Sequence, residues 1–274
     1  MTIQKLNAGR GAAWISDGIA TIKSHSAPYL MACLLIGLIS SLPLVGLLFG
    51  LLMPVFYGGL QSLLHRQAQG GSATAGQAFD GFQQDGAFAR LLPIVLANLA
   101  FAVVVLIIIA VTVGVAVFQL IKSGQSQQPD AQMVLALLPK LVLVLLIVVP
   151  IGIFFGWVMM LAIPRAMLDQ VPGMTAMSES VEAIFANLPA FLVNLVCLFL
   201  VMFVFILVLM IPMTVVGLLQ QRAPFLGFFL QIPVMTVFTG FTLAFYNAVM
   251  YQAWREVFDG AGAAPEPPQD RIEV

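Results

Sequence analysis

Residues 27–64 read APYLMACLLIGLISSLPLVGLLFGLLMPVFYGGLQSLL, from Ala27 to Leu64, without one charged side chain. A helix needs about 20 mostly apolar residues to cross the hydrocarbon core of a bilayer. This run is long enough for two helices, and Ser40-Ser41-Leu42-Pro43 near its middle offers a break. It predicts a tight hairpin with spans over about 28–42 and 44–65. The first of these is short, so a re-entrant segment is an alternative expectation.

The same character extends outward along the chain. Of 274 residues, 61% are hydrophobic and 8% charged. A soluble domain is nearer half apolar and a quarter charged, and in water this composition would leave aggregation-prone apolar patches exposed. Further spans are expected at about 92–121, 134–164 (kinked at Pro150), 190–218 and 225–254. Spans three and four exceed the bilayer requirement, so they must tilt or project beyond it. Gln67 to Gln77 and Ser123 to Asp130 read as polar loops, and Gln220-Gln221-Arg222 as a turn. The fold class is therefore all-α, a polytopic membrane helix bundle. It has one membrane domain over 1–259, followed by a Pro-rich tail at 260–274 that is expected to be disordered. The first 26 residues carry Lys5, Arg10, Asp17 and Lys23 and no continuous apolar core, so the first span is expected to insert uncleaved.

Orientation follows from the basic residues. With six spans, the termini share a side with the loops after spans two and four. That side holds Lys5, Arg10, Lys23, Arg66, Arg90, Arg165, Arg255 and Arg271. The other holds only Lys122, Lys140 and Arg222. The expected location is a bacterial inner membrane with both termini cytoplasmic. The formal net charge of −1 gives no basic balance that would point to nucleic acid.

The sequence also repeats itself. Span two contains VGLLFGLLM at 45–53 and span four IGIFFGWVM at 151–159, with a weaker echo, TVFTGFTL, at 236–243. Gly46, Gly50, Gly152 and Gly156 form two small-x-x-x-small pairs, and Gly240 marks the third copy. Such pairs let helix backbones approach closely, within a chain or between chains. Each odd span follows a proline, Pro28, Pro93 or Pro189, and a short amphipathic segment, expected at about 12–25, 78–90 and 177–188. In the first, Trp14, Ile15, Ile19 and Ile22 line one face opposite Asp17, Thr21 and Lys23. That face is expected to anchor the helix at the cytoplasmic membrane surface, packed against the bundle near the start of span one, with Trp14 at headgroup depth and Pro28 turning the chain inward. The unit is thus an interfacial helix plus a two-span hairpin, used three times in one orientation.

These features carry a resemblance. Arg10-Gly-Ala-Ala-Trp14-Ile-Ser-Asp-Gly18, Ser41-Leu-Pro-Leu-Val-Gly46, and the Gln-Gly-Gly and Phe-Asp-Gly81-Phe turns resemble a family of uncharacterised Gram-negative six-span inner-membrane proteins, over about residues 9–259. Met177-Ser-Glu-Ser-Val and Ala186-Asn-Leu-Pro189 are similar to segments of a wider six-span set. That set includes the membrane domain attached to some glycerophosphodiester phosphodiesterases, whose catalytic domain has no counterpart in this sequence. The resemblance implies a fold and brings no catalytic residue.

The search for chemistry returns structural residues. No P-loop, H-E-x-x-H or G-x-S-x-G motif occurs, and no carboxylate sits deep in a span. His25 and His65 are expected near the cytoplasmic interface, with no Cys, Asp or Glu spaced to complete a metal site. Cys33 and Cys197 lie inside apolar runs and read as small buried hydrophobes. Lys140 falls about two turns into a long helix, where snorkelling explains it better than substrate binding. Asn98, Asn194, Gln231 and Asn247 are expected to bridge helices. Thr236, Thr239 and Thr242, recurring every three residues, either pack between helices or line a polar path. The sequence therefore predicts no catalytic, cofactor or metal site. Its expected partners are membrane lipid, other membrane proteins or a second copy. The expected role is non-enzymatic organisation, assembly or regulation of envelope components. The alternative is a transporter or channel for a small or amphipathic molecule.

Overall fold

The computed structural model describes residues 3–24, 26–43, 45–114 and 131–258, and every regular element among them is helical. Four helices are long and apolar enough to cross a membrane: Ala87–Thr112, Leu138–Leu168, Leu188–Arg222 and Pro224–Phe258. The expected disordered tail, the whole polar loop expected at 123–130, and Lys122 lie outside the described residues.

The chain opens with α1 (Arg10–Ser24) and α2 (Ser26–Ser40). Together they are apolar enough for a span, but they are bent by 104° at the junction. Pro28 sits in the first turn of α2, where its missing N–H costs nothing. The turn at 41–43 leads into α3 (Val45–Leu51) and α4 (Met53–Ala68). Pro54 occupies the start of α4; without an N–H it cannot complete a helix running through from α3. The span expected over 44–65 is thus broken.

The second amphipathic segment differs from expectation. No helix covers 78–90. A 3₁₀ turn, Ala75–Phe79, runs into α5 (Asp80–Gln83), and Gly86 at φ 69° interrupts the chain before α6 (Ala87–Ile109). The left-handed conformation suits glycine and stops a right-handed helix. Pro93 accordingly lies inside α6 rather than at its start. A π turn, Ala110–Gly114, follows. Next come α7 (Ala131–Leu168), α8 (Gly173–Ala186), α9 (Leu188–Arg222) and α10 (Pro224–Phe258). Pro150 does not interrupt α7, which runs on through Pro164 as well.

Packing is concentrated at one end. In α10 the residues from Leu243 to Phe258 are mostly buried, whereas between Pro224 and Thr239 only Gly227 is. In α9 the buried residues are Ala190, Phe191, Asn194 and Val216. Bulky side chains farther along, such as Phe199, Val208 and Ile211, are exposed. That is the distribution lipid permits, since an apolar side chain gains little by leaving hydrocarbon.

At the packed end, each short segment docks on the helices of another hairpin. α1 packs on α9 and α10, the 3₁₀ turn on α2 and α4, and α8 on α6 and α7. Glycines make the approaches close. A Cβ on Gly11 would clash with the Ala190 carbonyl, one on Gly81 with the Val55 carbonyl, and one on Gly173 with the Arg90 carbonyl. α2 also lies along α10. There a Cβ on Gly37 would come within 2.7 Å of the Thr236 oxygen, and one on Gly240 within 3.0 Å of Leu34 Cα.

Candidate functional site

Most of the described charged side chains gather at the packed end, where several join the short segments to the long helices. Glu256, 2% exposed, accepts hydrogen bonds from Arg10 Nε at 2.9 Å and from Trp14 Nε1 at 3.0 Å. Arg10 also reaches Asp17 at 3.4 Å. Hydrogen bonding to Glu256, ahead of the opposing effect of burial, raises the Arg10 pKa, so the guanidinium stays charged. Arg165 bridges Asp169 at 2.9 Å and Glu179 at 2.7 Å and stacks over Phe258. Trp254 donates to Asp169 at 2.8 Å. Asp80 accepts from Ser62 at 2.8 Å and faces Arg66 at 3.8 Å. The first residues are fixed as well: Asn187 accepts from the Leu6 N–H at 2.7 Å and donates to the Gln4 carbonyl at 2.9 Å. Neutral polar side chains extend the network. Asn194 donates to the Gly11 carbonyl, Gln61 to Asn247, and Gln252 to Thr21.

Beneath this polar layer lies a cavity of about 380 Å³. Its walls come from α3, α4, α6, α7, α9 and α10. Gly50, Met53, Gly152, Phe155, Gly156 and Met202 give it an apolar lining. Tyr57, Tyr246, Asn98 and Thr242 add polar groups, and no Asp, Glu, Lys, Arg or His lines it among the described residues. The Thr242 hydroxyl is buried without a hydrogen-bond partner among the described residues. Tyr246 donates a long bond to the Gly156 carbonyl, 3.4 Å.

The glycines expected to pack helices divide. Gly240 meets α2 closely, as above. Gly46 lies against the Ser40 carbonyl and so tightens the first hairpin's own turn. At Gly50 and Gly156 an added Cβ would meet nothing within 4 Å, and at Gly152 only the Phe101 ring edge at 3.7 Å. These three hold no backbone contact. They leave space, and together they line the cavity. The close approaches at Gly11, Gly81 and Gly173 carry no small-x-x-x-small signature that would single them out, whereas Gly37 pairs with Ser41 at that spacing.

The residues expected to form a surface anchor divide as well. Trp14 is fully buried and Ile15 nearly so, with Trp14 edge-on to Phe191 at 5.3 Å. The buried face of α1 is Gly11, Trp14, Ile15 and Gly18, turned toward α9 and α10 rather than toward headgroups. Ile22 is partly buried against the same core, Ile19 points outward, and Thr21 is held by Gln252 rather than set on a wet face. Two glycines on that face bring the backbones together, and the indole finds an acceptor in Glu256.

The remaining singled-out residues scatter. His65 contacts Tyr251 at 3.2 Å and Gln69 at 2.8 Å, while His25 lies outside the described residues. Cys33 is buried, Cys197 partly so. Lys140 is exposed and about 18 Å along α7 from Gly152, and it does not line the cavity. Of the threonine series only Thr242 reaches the cavity, and Gln231 accepts from Gln220. Sequence reasoning did not find Tyr57, Tyr246 or Glu256. Comparison with protein-family models, with curated proteins and with solved structures returned no match.

Proposed function

We propose that the chain is a six-span inner-membrane protein of three hairpin units, both termini cytoplasmic, that organises, assembles or regulates other envelope components without covalent chemistry of its own. The cyclic docking supports the three units: each short segment packs on the hairpin of the unit before it, and the first packs on the third. The proposed cytoplasmic face is the end where Arg10, Arg66, Arg90, Arg165 and Arg255 lie.

The observation that carries the role is how the charge is used. The carboxylates Asp17, Asp80, Asp169, Glu179 and Glu256 all sit in ion pairs, and those of Asp80, Glu179 and Glu256 join one segment to another. None lines the cavity. What the molecule turns outward is bare apolar helix, led by α9 and the far half of α10. Such surface serves contact with lipid and other membrane proteins. A transporter for an amphipathic molecule is the alternative, and the cavity is the observation in its favour.

Cross-linking in native membranes with mass spectrometry should recover a membrane protein or a second copy joined at α9 and α10. The purified chain moving an amphipathic solute across vesicles, with no partner recovered, would replace organisation with transport.

A further inference from the structure

A second hollow lies apart from the polar layer and the cavity. Between the far halves of α9 and α10 runs a groove of about 610 Å³. It shares no lining residue with the cavity. Pro212 and Pro233 stand at one end of it and Val204 and Phe241 at the other, and every lining side chain between them is valine, leucine or phenylalanine. Val204, Val208, Val237 and Phe241 are each roughly half exposed, so the groove opens on the outer surface of the helix pair.

The lining selects among occupants. In lipid, helices associate where small residues let backbones approach or where polar side chains bond across. The groove offers neither: among the described residues no Gly, Ala, Ser or Thr and no polar side chain lines it. A protein helix would gain little there that lipid does not already supply. The walls are instead set by rigid rings, those of Phe205, Pro212, Pro233, Phe238 and Phe241. A flexible hydrocarbon chain can follow such a wall and gain dispersion contacts along its length.

Depth and charge say where that chain comes from. Along α9, Pro212 lies about 15 Å and Val204 about 27 Å from Arg222. Along α10, Pro233 lies about 14 Å and Phe241 about 26 Å from Pro224. Polar side chains resume at this end, where Gln220 donates to Gln231 at 3.0 Å. The headgroup layer takes up about 5–7 Å of the depth, and the hydrocarbon of each leaflet about 15 Å more. A lipid with its phosphate at Arg222 therefore lays the terminal half of an acyl chain in the groove. Arg222 follows Val204 by 18 residues, five turns at about 3.6 residues each, so it stands over the groove's open edge. It is exposed and makes no ion pair among the described residues. No Asp or Glu occurs in α9, or in α10 before Glu256, to compete for it.

We propose that the groove holds one acyl chain of an anionic phospholipid from the leaflet opposite the polar layer, with the lipid phosphate paired to Arg222. A zwitterionic lipid carries the same phosphate, but its ammonium group offsets the attraction to a lone guanidinium, so a net negative headgroup is favoured. This rests on the membrane-spanning placement proposed above, which topology reporters test separately.

The test uses the full-length chain in phosphatidylethanolamine vesicles that carry a small share of one photoprobe. The probe is phosphatidylglycerol or phosphatidylethanolamine, each with a diazirine in the terminal half of one acyl chain. In the wild type the anionic probe should cross-link within 204–212 and 233–241 about fivefold more than the zwitterionic one, the effect of one basic side chain at a lipid surface. Labelling at Phe199, exposed on another face of α9, should not distinguish them. Arg222→Gln should make the two probes equal in the groove. Leu209→Trp and Val234→Trp, placed on groove walls that are partly buried, should remove most groove labelling by both probes and leave Phe199 labelled. Equal groove labelling by both probes in the wild type would overturn the proposal. So would a preference that survives Arg222→Gln, or groove labelling that survives in both monodisperse tryptophan variants. Absent groove labelling with Phe199 still labelled would give the groove to a protein segment, such as 115–130 of this chain, and overturn it too. Loss of labelling at Phe199 as well would remove the membrane-spanning placement and the proposal with it. If one tryptophan variant fails to fold, the other and Arg222→Gln decide.

Discussion

Gly156→Ala and Gly11→Ala should move stability in opposite directions, although both put one methyl group on a helical glycine. At Gly156 the new Cβ meets nothing within 4 Å. The substitution then acts through the backbone, where replacing a mid-helix glycine with alanine stabilises by about 0.5–1 kcal/mol. At Gly11 the new Cβ would overlap the Ala190 carbonyl and lie 2.7 Å from the Asn194 nitrogen. Both neighbours are helical backbone and cannot rotate away, so α1 must lift from α9. That is overpacking, at about 1–3 kcal/mol. It also strains the bond from Asn194 to the Gly11 carbonyl, 3.1 Å, worth about a further 1 kcal/mol. The two variants should differ by about 2.5–5 kcal/mol, or about 5–20 °C in melting temperature at roughly 2–4 °C per kcal/mol. Thermal unfolding in one detergent, followed by tryptophan fluorescence and size-exclusion recovery, measures this. If Gly156→Ala melts at or below Gly11→Ala, the assignment of Gly156 to open space is refuted.

Glu256→Gln should destabilise by about 3 kcal/mol, the lower end of the range for breaking a buried pair because Arg10 is one-third exposed; chemical denaturation in detergent gives the value, and a loss under 1 kcal/mol would show the pair to be incidental. Trp14→Phe keeps much of the packing and loses the bond to Glu256, so about 1–2 kcal/mol should go; an unchanged midpoint would return Trp14 to the headgroups. Ser16→Cys should react rapidly with a water-soluble maleimide and Ile15→Cys hardly at all, since one is exposed and the other 8% exposed; equal rates would make α1 a free arm. Leu42→Cys tests the first hairpin: labelling only from the periplasm supports full crossing, and no labelling from either side places the turn within the bilayer.

The sequence makes the membrane class plain because lipid imposes a one-dimensional rule. About 20 apolar residues in a row satisfy it wherever they pack, so the helices ending near Arg222 and beginning near Phe225 are visible before any contact is known. The glycines show where such reading stops. Gly50 and Gly156 stand in a recognised spacing and touch nothing, while Gly11 and Gly173 stand in none and hold backbones together. Spacing says which residues share a helix face; it cannot say what lies opposite. The same limit applies to α1. An apolar stripe with Trp14 suits a membrane surface and a protein groove alike. The decision lies with Glu256, which comes 242 residues later and meets Trp14 only in the fold. The cavity was invisible for a related reason, because it is a gap between chain segments and no residue encodes it alone.

The uneven burial says where the stability resides. Helices in lipid gain little from hiding leucines from one another, so the exposed far halves of α9 and α10 contribute little cohesion. Cohesion must come from contacts lipid cannot imitate: backbone approach at glycine, ion pairs, and hydrogen bonds between helices. These are densest at the packed end, at Gly11, Glu256 and Asn187, which join segments distant in sequence, and at Arg165, which ties α7 to α8; the approach of α2 to α10 at Gly37 adds to them. One end of the molecule is consequently a rigid plate, and from it the long hairpins extend as side-by-side rods with proline at Pro212 and Pro233. Such a division leaves the rods free to follow the bilayer or a neighbour without disturbing the plate. It also places the cavity at the level where the rigid part gives way to the adaptable one.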